Sequence, residues 1–200
     1  VGNTNPRGIC GSGLIAIVPE LLVAGIIDQR GKFTGSIKHP RVRQGVDGWE
    51  YVIAWSHDTL IGEDIVLTEI DLENLIRAKG ALFAGYQTLL ESVGIGFSDL
   101  DRVILAGNFG AHIDLERAIS IGLLPDIDRD RFFYLGNASM LGCQISLTDH
   151  RRFNERVAVR KIMTNLELSD NLNFMNYYMA ALFLPHTDST LFPSYSLTPP

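Results

Sequence analysis

The sequence predicts an α/β domain, a mixed sheet with flanking helices, and two observations support this fold class. Short apolar runs at 102–106 and 132–135 each end in a glycine turn that leads into a helical pattern. A long amphipathic stretch from Thr68 to Gly94 precedes the first run and is typical of a helix. Strands that alternate with helices imply a sheet whose faces are covered by helices.

Residues 12–24 carry apolar side chains at helical spacing, which predicts a first helix with Gly25 as its C-cap. Pro19 inside this pattern either kinks the helix or marks a late start. The region that follows is rich in glycine and contains short β-prone runs at 51–55 and 65–67. We therefore expect a small excursion of strands and turns there.

Polar residues mark where the later helices begin. Thr68, with Asp71 three residues on, forms a capping box at the start of the long helix. Asp114 precedes another helical pattern and is expected to be its N-cap, with a catalytic carboxylate as the alternative. The further predicted elements are a helix over 138–147, a helix over 151–163, a strand over 166–168 and a helix over 174–182.

Composition and charge exclude several classes of function. A chain of 200 residues, 46% of them hydrophobic, is long enough for one sizeable core. The net charge of −6 argues against a nucleic acid partner. The basic cluster His150, Arg151, Arg152 and Arg156 is expected to be a solvated helix face. No apolar run reaches the roughly 20 residues of a membrane span, and no signal pattern opens the chain, so a cytoplasmic location is expected.

The cysteines and histidines show no metal-ligand spacing. Cys10 and Cys143 each lack a second cysteine or a histidine nearby, so the chain alone is not expected to build an iron–sulfur or zinc site. No histidine pattern around Cys10 supports a nucleophile, and we expect a small buried thiol there. Any redox centre is expected to lie outside these residues.

Three glycine-rich turns are the candidate ligand site. Glycine lets a ligand approach the backbone closely, and the helix that follows presents free N–H groups to an anion. None of the turns is a Walker A loop or a dinucleotide fingerprint, and each alone could be a tight connection. Ser12 could bind a phosphate or cap its helix, and Lys79 could reach a nucleotide or snorkel to solvent. The candidate nucleotide-binding residues are Gly11, Ser12, Gly13, Lys79, Gly107, Asn108, Phe109, Gly110, Gly136 and Asn137.

Six segments, taken in order, resemble strings of one known family, the reductive activators of corrinoid proteins. They are residues 8–15, 64–68, 78–81, 105–110, 121–125 and 136–138. The resemblance covers nearly the whole chain. It implies the actin, sugar-kinase and Hsp70 type of fold, also called ASKHA or ribonuclease-H-like. Residues 1–184 would be the second lobe of that nucleotide-binding domain, and residues 185–200, rich in Pro, Ser and Thr, a tail that is loop or partly disordered.

The same resemblance implies a function for the intact protein. Such proteins use ATP with Mg to drive an electron from a 2Fe-2S cluster in an N-terminal domain to the Co(II) corrinoid of a methyltransferase corrinoid protein, restoring Co(I). Residues 107–110 would be the adenosine-binding turn, 78–80 would border the nucleotide, and 11–13 would lie near the interlobe cleft. The segment alone would be inactive, and a homodimer is expected from related proteins.

Two departures and several alternatives accompany this resemblance. Ala16 stands where relatives commonly have Asp, and Asn108 replaces a residue that is often small. A small-molecule kinase of the same superfamily could reuse this lobe, although no catalytic residue is assigned. An activator of acyl-CoA dehydratases or reductases would hold a cluster between subunits through cysteines, and Cys10 with Cys143 gives no such pattern. A nucleotide-regulated docking module without turnover is the alternative from a different class.

Overall fold

The computed structural model describes residues 4–35, 38–107 and 110–195. Within these residues strands and helices alternate from Ile65 to Thr148, as the α/β prediction requires, whereas two consecutive strands precede this part and two further helices follow it. The helices are α1 (Gly11–Val23), α2 (Glu69–Ser92), α3 (Leu115–Ser120), α4 (Ala138–Thr148), α5 (His150–Ile162) and α6 (Phe174–Ala180). The strands are β1 (Val42–Gly45), β2 (Gly48–Ala54), β3 (Ile65–Thr68), β4 (Val103–Ala106) and β5 (Phe132–Gly136).

The strands of the described residues form two sheets rather than one. β1, β2 and β3 form an antiparallel sheet, in which Gly45 pairs with Gly48 across the turn that joins β1 to β2. β4 and β5 form a parallel pair, in which Val103 lies opposite Phe132. The connection between β4 and β5 runs through α3, as a parallel crossover requires. The parallel pair therefore follows the predicted strand, turn and helix order.

The helix starts and stops agree with the polar pattern of the sequence. The Thr68 hydroxyl accepts from the Asp71 amide, and the Asp71 carboxylate accepts from the Thr68 amide, which confirms the capping box of α2. Asp114 accepts from the Arg117 amide and caps α3, as predicted. Gly25 follows the end of α1 with a φ of +67°, the left-handed conformation expected after a helix. Pro19 is buried inside α1 without delaying its start, so the late-start alternative is wrong.

The core is built around α2. Its buried face includes Leu72, Ile76 and Phe83, and these pack with side chains from α1, β3 and α3. Phe83 also contacts the rings of Phe97 and Phe192. The hydrophobic cluster thus joins the α1–α3 region to the C-terminal part of the chain.

Residues 183–195, called here the C-terminal segment, pack onto the domain. Phe192 is 1% exposed and Leu184 is fully buried. Ser194 donates from its amide and its hydroxyl to the Asp126 carboxylate, at 2.7 and 2.9 Å. Residues 185–195 are loop apart from a 3₁₀ turn at Ser189–Leu191, as one of the two expectations for this tail held, and their apolar side chains complete the core.

Two further differences concern local pattern. The strand predicted at 166–168 is wrong, since residues Leu168–Asp170 form a single 3₁₀ turn and no described strand pairs with them. β1 was not predicted, because its four residues include Arg43 and Gln44 and are polar on the exposed side. α4 and α5 contain no buried residue, which confirms that the basic cluster from His150 to Arg156 is a solvated helix face.

Candidate nucleotide site

Two of the three predicted glycine turns lie side by side at the ends of β4 and β5. The Gly107 amide donates to the Gly136 carbonyl oxygen at 2.6 Å. Both glycines are left-handed, with φ of +97° and +66°, and a Cβ atom at either one would meet nothing within 4 Å. Open space beside two such backbones is what close approach of a planar base or an anion needs. The parallel pairing of the strands brings these turns together.

Asn137 connects the second turn to the helix that follows. Its side-chain oxygen accepts from the Met140 amide at 2.9 Å and caps α4. The first turn of α4 contains no acidic side chain. Its free N–H groups and the positive end of its dipole therefore favour an anion beside Gly136.

The third turn, Gly11 to Gly13, is the first turn of α1 rather than a loop before it. Cys10 is the N-cap residue, so the prediction that Ser12 caps this helix is wrong. The Ser12 hydroxyl instead lies 3.2 Å from the Cys10 sulfur. Cys10 is exposed, which contradicts the buried thiol expected from sequence, and its hydrogen bonds to Ser12 and to the Gly13 amide lower the pKa of the thiol.

The helices divide into two groups by the charge at their N-termini. In α2, α3 and α5 an aspartate carboxylate accepts a hydrogen bond from a backbone N–H at the helix start. These aspartates are Asp71, Asp114 and Asp149, respectively. α1 and α4 have no acidic side chain in the first turn and no carboxylate cap. α6 likewise has no acidic side chain in its first turn, but of these three helices only α1 and α4 begin at a predicted glycine turn, where an external anion can complement the helix dipole.

α3 holds α1 in place relative to the strand ends. Arg117 donates to the Ala16 carbonyl oxygen in α1 and forms an ion pair with Glu20 at 3.1 Å. The Ala16 carbonyl oxygen is thus the acceptor through which Arg117 ties α3 to α1. The cap residue of α3, Asp114, is thus committed to the helix end and to Arg117 at 3.5 Å, which favours the structural role over a catalytic one.

Lys79 does not present its ammonium to solvent, so the snorkelling alternative is wrong. Its side chain is 0% exposed, and Nζ donates to the carbonyl oxygens of Phe183 and, at 2.7 Å, Pro185. Burial lowers the pKa of Lys79 to about 7, and its charge together with burial lowers that of the neighbouring His186. A contact with nucleotide would require both carbonyl bonds to break, so Lys79 is an anchor for the C-terminal segment.

Some predicted residues cannot be placed, and one important residue was missed. Asn108 and Phe109 lie outside the described residues. Gly110 begins a 3₁₀ turn and lies close to Leu105, whose Cβ would be 3.3 Å from a Cβ atom added at Gly110. Gly122 was not singled out, yet its φ of +74° and its contact with Pro185 show that only glycine fits there. The signal for it in the sequence is a glycine directly after the α3 pattern.

The described ranges contain no group of three or more His, Cys, Asp or Glu side chains that could hold a metal ion. No protein cage for magnesium is therefore offered by these side chains. None of the helices in the described residues is long and apolar enough to cross a membrane.

The structure is thus an α/β lobe in which open glycine turns lie at the ends of two parallel strands. The chain belongs to the family described as the C-terminal domain of RACo, the ASKHA domain, whose model matches residues 1–196. The predicted fold class and the predicted family are both confirmed by this match.

Similar proteins agree with this assignment. The solved structure of a reductive activator for corrinoid,iron-sulfur protein matches with a TM-score of 0.90 and 47% identity, over 96% of this chain and 31% of that chain. The corrinoid activation enzyme RamQ of Eubacterium limosum is 34% identical over 186 residues, which is 90% of this chain and 31% of RamQ. A Co(II) methylated amine-specific corrinoid protein reductase of Methanosarcina barkeri is 26% identical over 177 residues, 88% of this chain and 29% of the reductase. The chain thus spans about a third of the length of these relatives.

Proposed function

We propose that this domain is part of an ATP-dependent reductive activator that returns the Co(II) corrinoid of a methyltransferase corrinoid protein to Co(I). The observation that carries the proposal is the family match over residues 1–196, together with relatives that are named for corrinoid activation and reduction. The joined glycine turns at Gly107 and Gly136 support it, because they supply the open backbone that a nucleotide requires.

The residues of this chain would hold one side of the nucleotide. Gly107 and Gly136 leave room for the adenosine, with Gly110 and Asn137 completing the two turns. The N-terminal turn of α1, from Gly11 to Gly13, offers amides to phosphate. Bound ATP would supply binding and hydrolysis energy that offsets an unfavourable electron transfer to cobalt, by stabilising one conformation over another.

Magnesium and the iron–sulfur cluster are proposed for the intact protein and not for the side chains described here. Magnesium commonly binds nucleotide phosphates and water with few protein ligands, which agrees with the lack of a carboxylate cage in the described ranges. A 2Fe-2S cluster needs four ligands, and neither Cys10 nor Cys143 lies in a ligand group. We therefore assign the cluster to the remainder of the protein.

The partner, assembly and location follow the same proposal. The corrinoid protein is the partner, since the relatives are named for acting on such proteins. We also propose that the intact protein forms a homodimer and is located in the cytoplasm.

A matched pair of glycine variants in the full-length protein tests the nucleotide site. Gly136→Ala and Gly35→Ala both place alanine at a left-handed φ, +66° and +63°, with nothing within 4 Å of the new methyl group. Both variants should therefore lose similar stability, about 1–2 kcal/mol. Only Gly136→Ala should weaken ATP binding, by about tenfold in an isothermal titration, since only that methyl group would enter the nucleotide space.

The outcomes separate the alternatives. If Gly136→Ala and Gly35→Ala bind ATP equally well, the turns at Gly107 and Gly136 do not form the site. If wild type binds ATP without hydrolysing it, with or without a corrinoid protein, a docking module replaces the reductive activator.

A further inference from the structure

The guanidinium of Arg117 is a polar link between α3 and α1. Its Nη1 donates to the Ala16 carbonyl oxygen, and its Nη2 forms an ion pair with Glu20 at 3.1 Å. Its Nε lies 3.5 Å from the carboxylate of Asp114, the residue that caps α3. One side chain of α3 thus contacts two points of α1 and the start of its own helix.

The two contacts on α1 lie on either side of a weak point in that helix. Pro19 has no N–H group, so the Ile15 carbonyl oxygen receives no helix hydrogen bond from it. Ala16 and Glu20 are four residues apart and therefore lie on the same face, one turn from each other. Arg117 holds both ends of the turn that contains Pro19, so it fixes the N-terminal half of α1 together with the half that follows.

Apolar packing alone does not give this contact a fixed direction. Val18 of α1 and both Ala118 and Ile119 of α3 are fully buried in the same hydrophobic cluster. Burial of apolar surface is a non-directional force. The donors of a planar guanidinium have a fixed geometry, and they therefore define where α1 lies along α3.

Each of the two helices begins beside a glycine turn of the candidate site. α1 starts with the turn Gly11 to Gly13. The 3₁₀ turn Gly110–His112, which follows β4, comes just before the Asp114 cap of α3. One ligand can contact both turns only if their separation is held constant, because small misplacements of binding groups are costly.

We propose that Arg117 is a positioning residue for ATP, which sets the place of Gly11–Gly13 relative to the paired turns at Gly107 and Gly136. This inference rests on the proposed function, in which the paired turns border the adenosine and the N-terminal turn of α1 borders the phosphates. Arg117 acts through α1 and not by touching the nucleotide. Its loss therefore weakens the phosphate contacts and leaves the adenosine contacts nearly unchanged.

Isothermal titrations of the full-length protein with ATP and with adenosine test the proposal. Arg117→Met keeps an unbranched apolar stem but removes the charge and the donors. The dissociation constant for ATP should rise by about tenfold, as for partial loss of an anion contact at a helix N-terminus, whereas that for adenosine should stay within about twofold. The ratio of the two constants is the readout, because a general loss of stability would not change it.

Arg43→Met is the matched control. The Arg43 side chain is 43% exposed, against 38% for Arg117, and it also pairs with two carboxylates, Glu50 at 2.7 Å and Asp64 at 2.8 Å. It lies in β1 of the antiparallel sheet, away from the parallel strands that carry the paired turns. Both dissociation constants of this variant should therefore equal those of the wild type.

The possible results separate this proposal from the proposed function. Equal weakening of ATP and adenosine binding in Arg117→Met, or unchanged ATP binding, overturns the positioning role while the nucleotide site stands. The same change of ratio in Arg43→Met also overturns it, because the effect would not be specific to α1. A wild type that binds neither ligand overturns the proposed function, and the positioning role with it.

Discussion

Gly122 lies against the backbone of Pro185, and one added methyl group there tests how the C-terminal segment is held. A Cβ atom at residue 122 would lie 2.1 Å from the Pro185 carbonyl oxygen, 2.9 Å from its carbon and 3.1 Å from Lys79 Nζ. The carbonyl belongs to the backbone and cannot rotate away. Gly122→Ala therefore has to displace Pro185 or distort the end of α3.

The size of the effect follows from three contributions. Alanine at a φ of +74° costs about 1–2 kcal/mol. Restoring ordinary contact requires Pro185 to shift by about 1.3 Å, and such overpacking costs about 1–3 kcal/mol. The shift also weakens the bond from the buried Lys79 ammonium, and an unsatisfied buried group costs about 1–3 kcal/mol. We expect a total loss of about 3–8 kcal/mol.

Gly94→Ala is the matched control. Gly94 has a φ of +73°, and a Cβ atom there meets nothing within 4 Å, so it carries the backbone cost alone, about 1–2 kcal/mol. Urea unfolding followed by circular dichroism should give a midpoint for Gly122→Ala well below that of Gly94→Ala, with similar slopes. Equal midpoints would show that Pro185 does not constrain residue 122.

Two other predictions concern the C-terminal segment. Phe192→Ala should lower the free energy of unfolding by about 3–5 kcal/mol in the same assay, whereas the 95% exposed Leu172→Ala should change it by less than about 0.5 kcal/mol; a small effect at Phe192 would mean that the segment is not part of the core. The pKa of Lys79 is 10.5 in the unfolded chain and about 7 in the folded chain, so between pH 7 and pH 10.5 only the unfolded chain keeps the proton. The free energy of unfolding of the wild type, relative to Lys79→Met, should therefore rise by about 1.4 kcal/mol per pH unit across this range. Below about pH 7 the difference should be level. A difference that stays flat across that window in urea titrations would show that the carbonyls of Phe183 and Pro185 keep the ammonium charged.

Local chemistry made much of the fold predictable. The capping box of Thr68 and Asp71 and the cap at Asp114 depend on residues three apart, so they are visible in sequence. The two strand, turn and helix units were predicted because each consists of a short apolar run, a glycine turn and a helical pattern that are adjacent in the sequence. The α1 start was misplaced because Cys10 occupies the cap position without a side-chain bond, which leaves Ser12 as the residue that sequence favours.

Contacts between distant residues were not predictable. Lys79 and Phe183 are 104 residues apart, so the burial of the ammonium depends on how the C-terminal segment folds back over α2. The bond from Gly107 to Gly136 depends in the same way on the pairing of β4 with β5. The pattern at 166–168 resembled a strand locally, but a strand forms only where a partner strand is available.

In the proposed function, the full-length protein uses ATP to reduce a Co(II) corrinoid protein to Co(I). The most direct measurement mixes the full-length protein, an electron donor and a Co(II) corrinoid protein, and follows loss of Co(II) by electron paramagnetic resonance with and without ATP. We predict that Co(II) disappears only when ATP is present, together with ATP hydrolysis. Reduction at the same rate without ATP, or unchanged Co(II) in its presence, would contradict the proposed function.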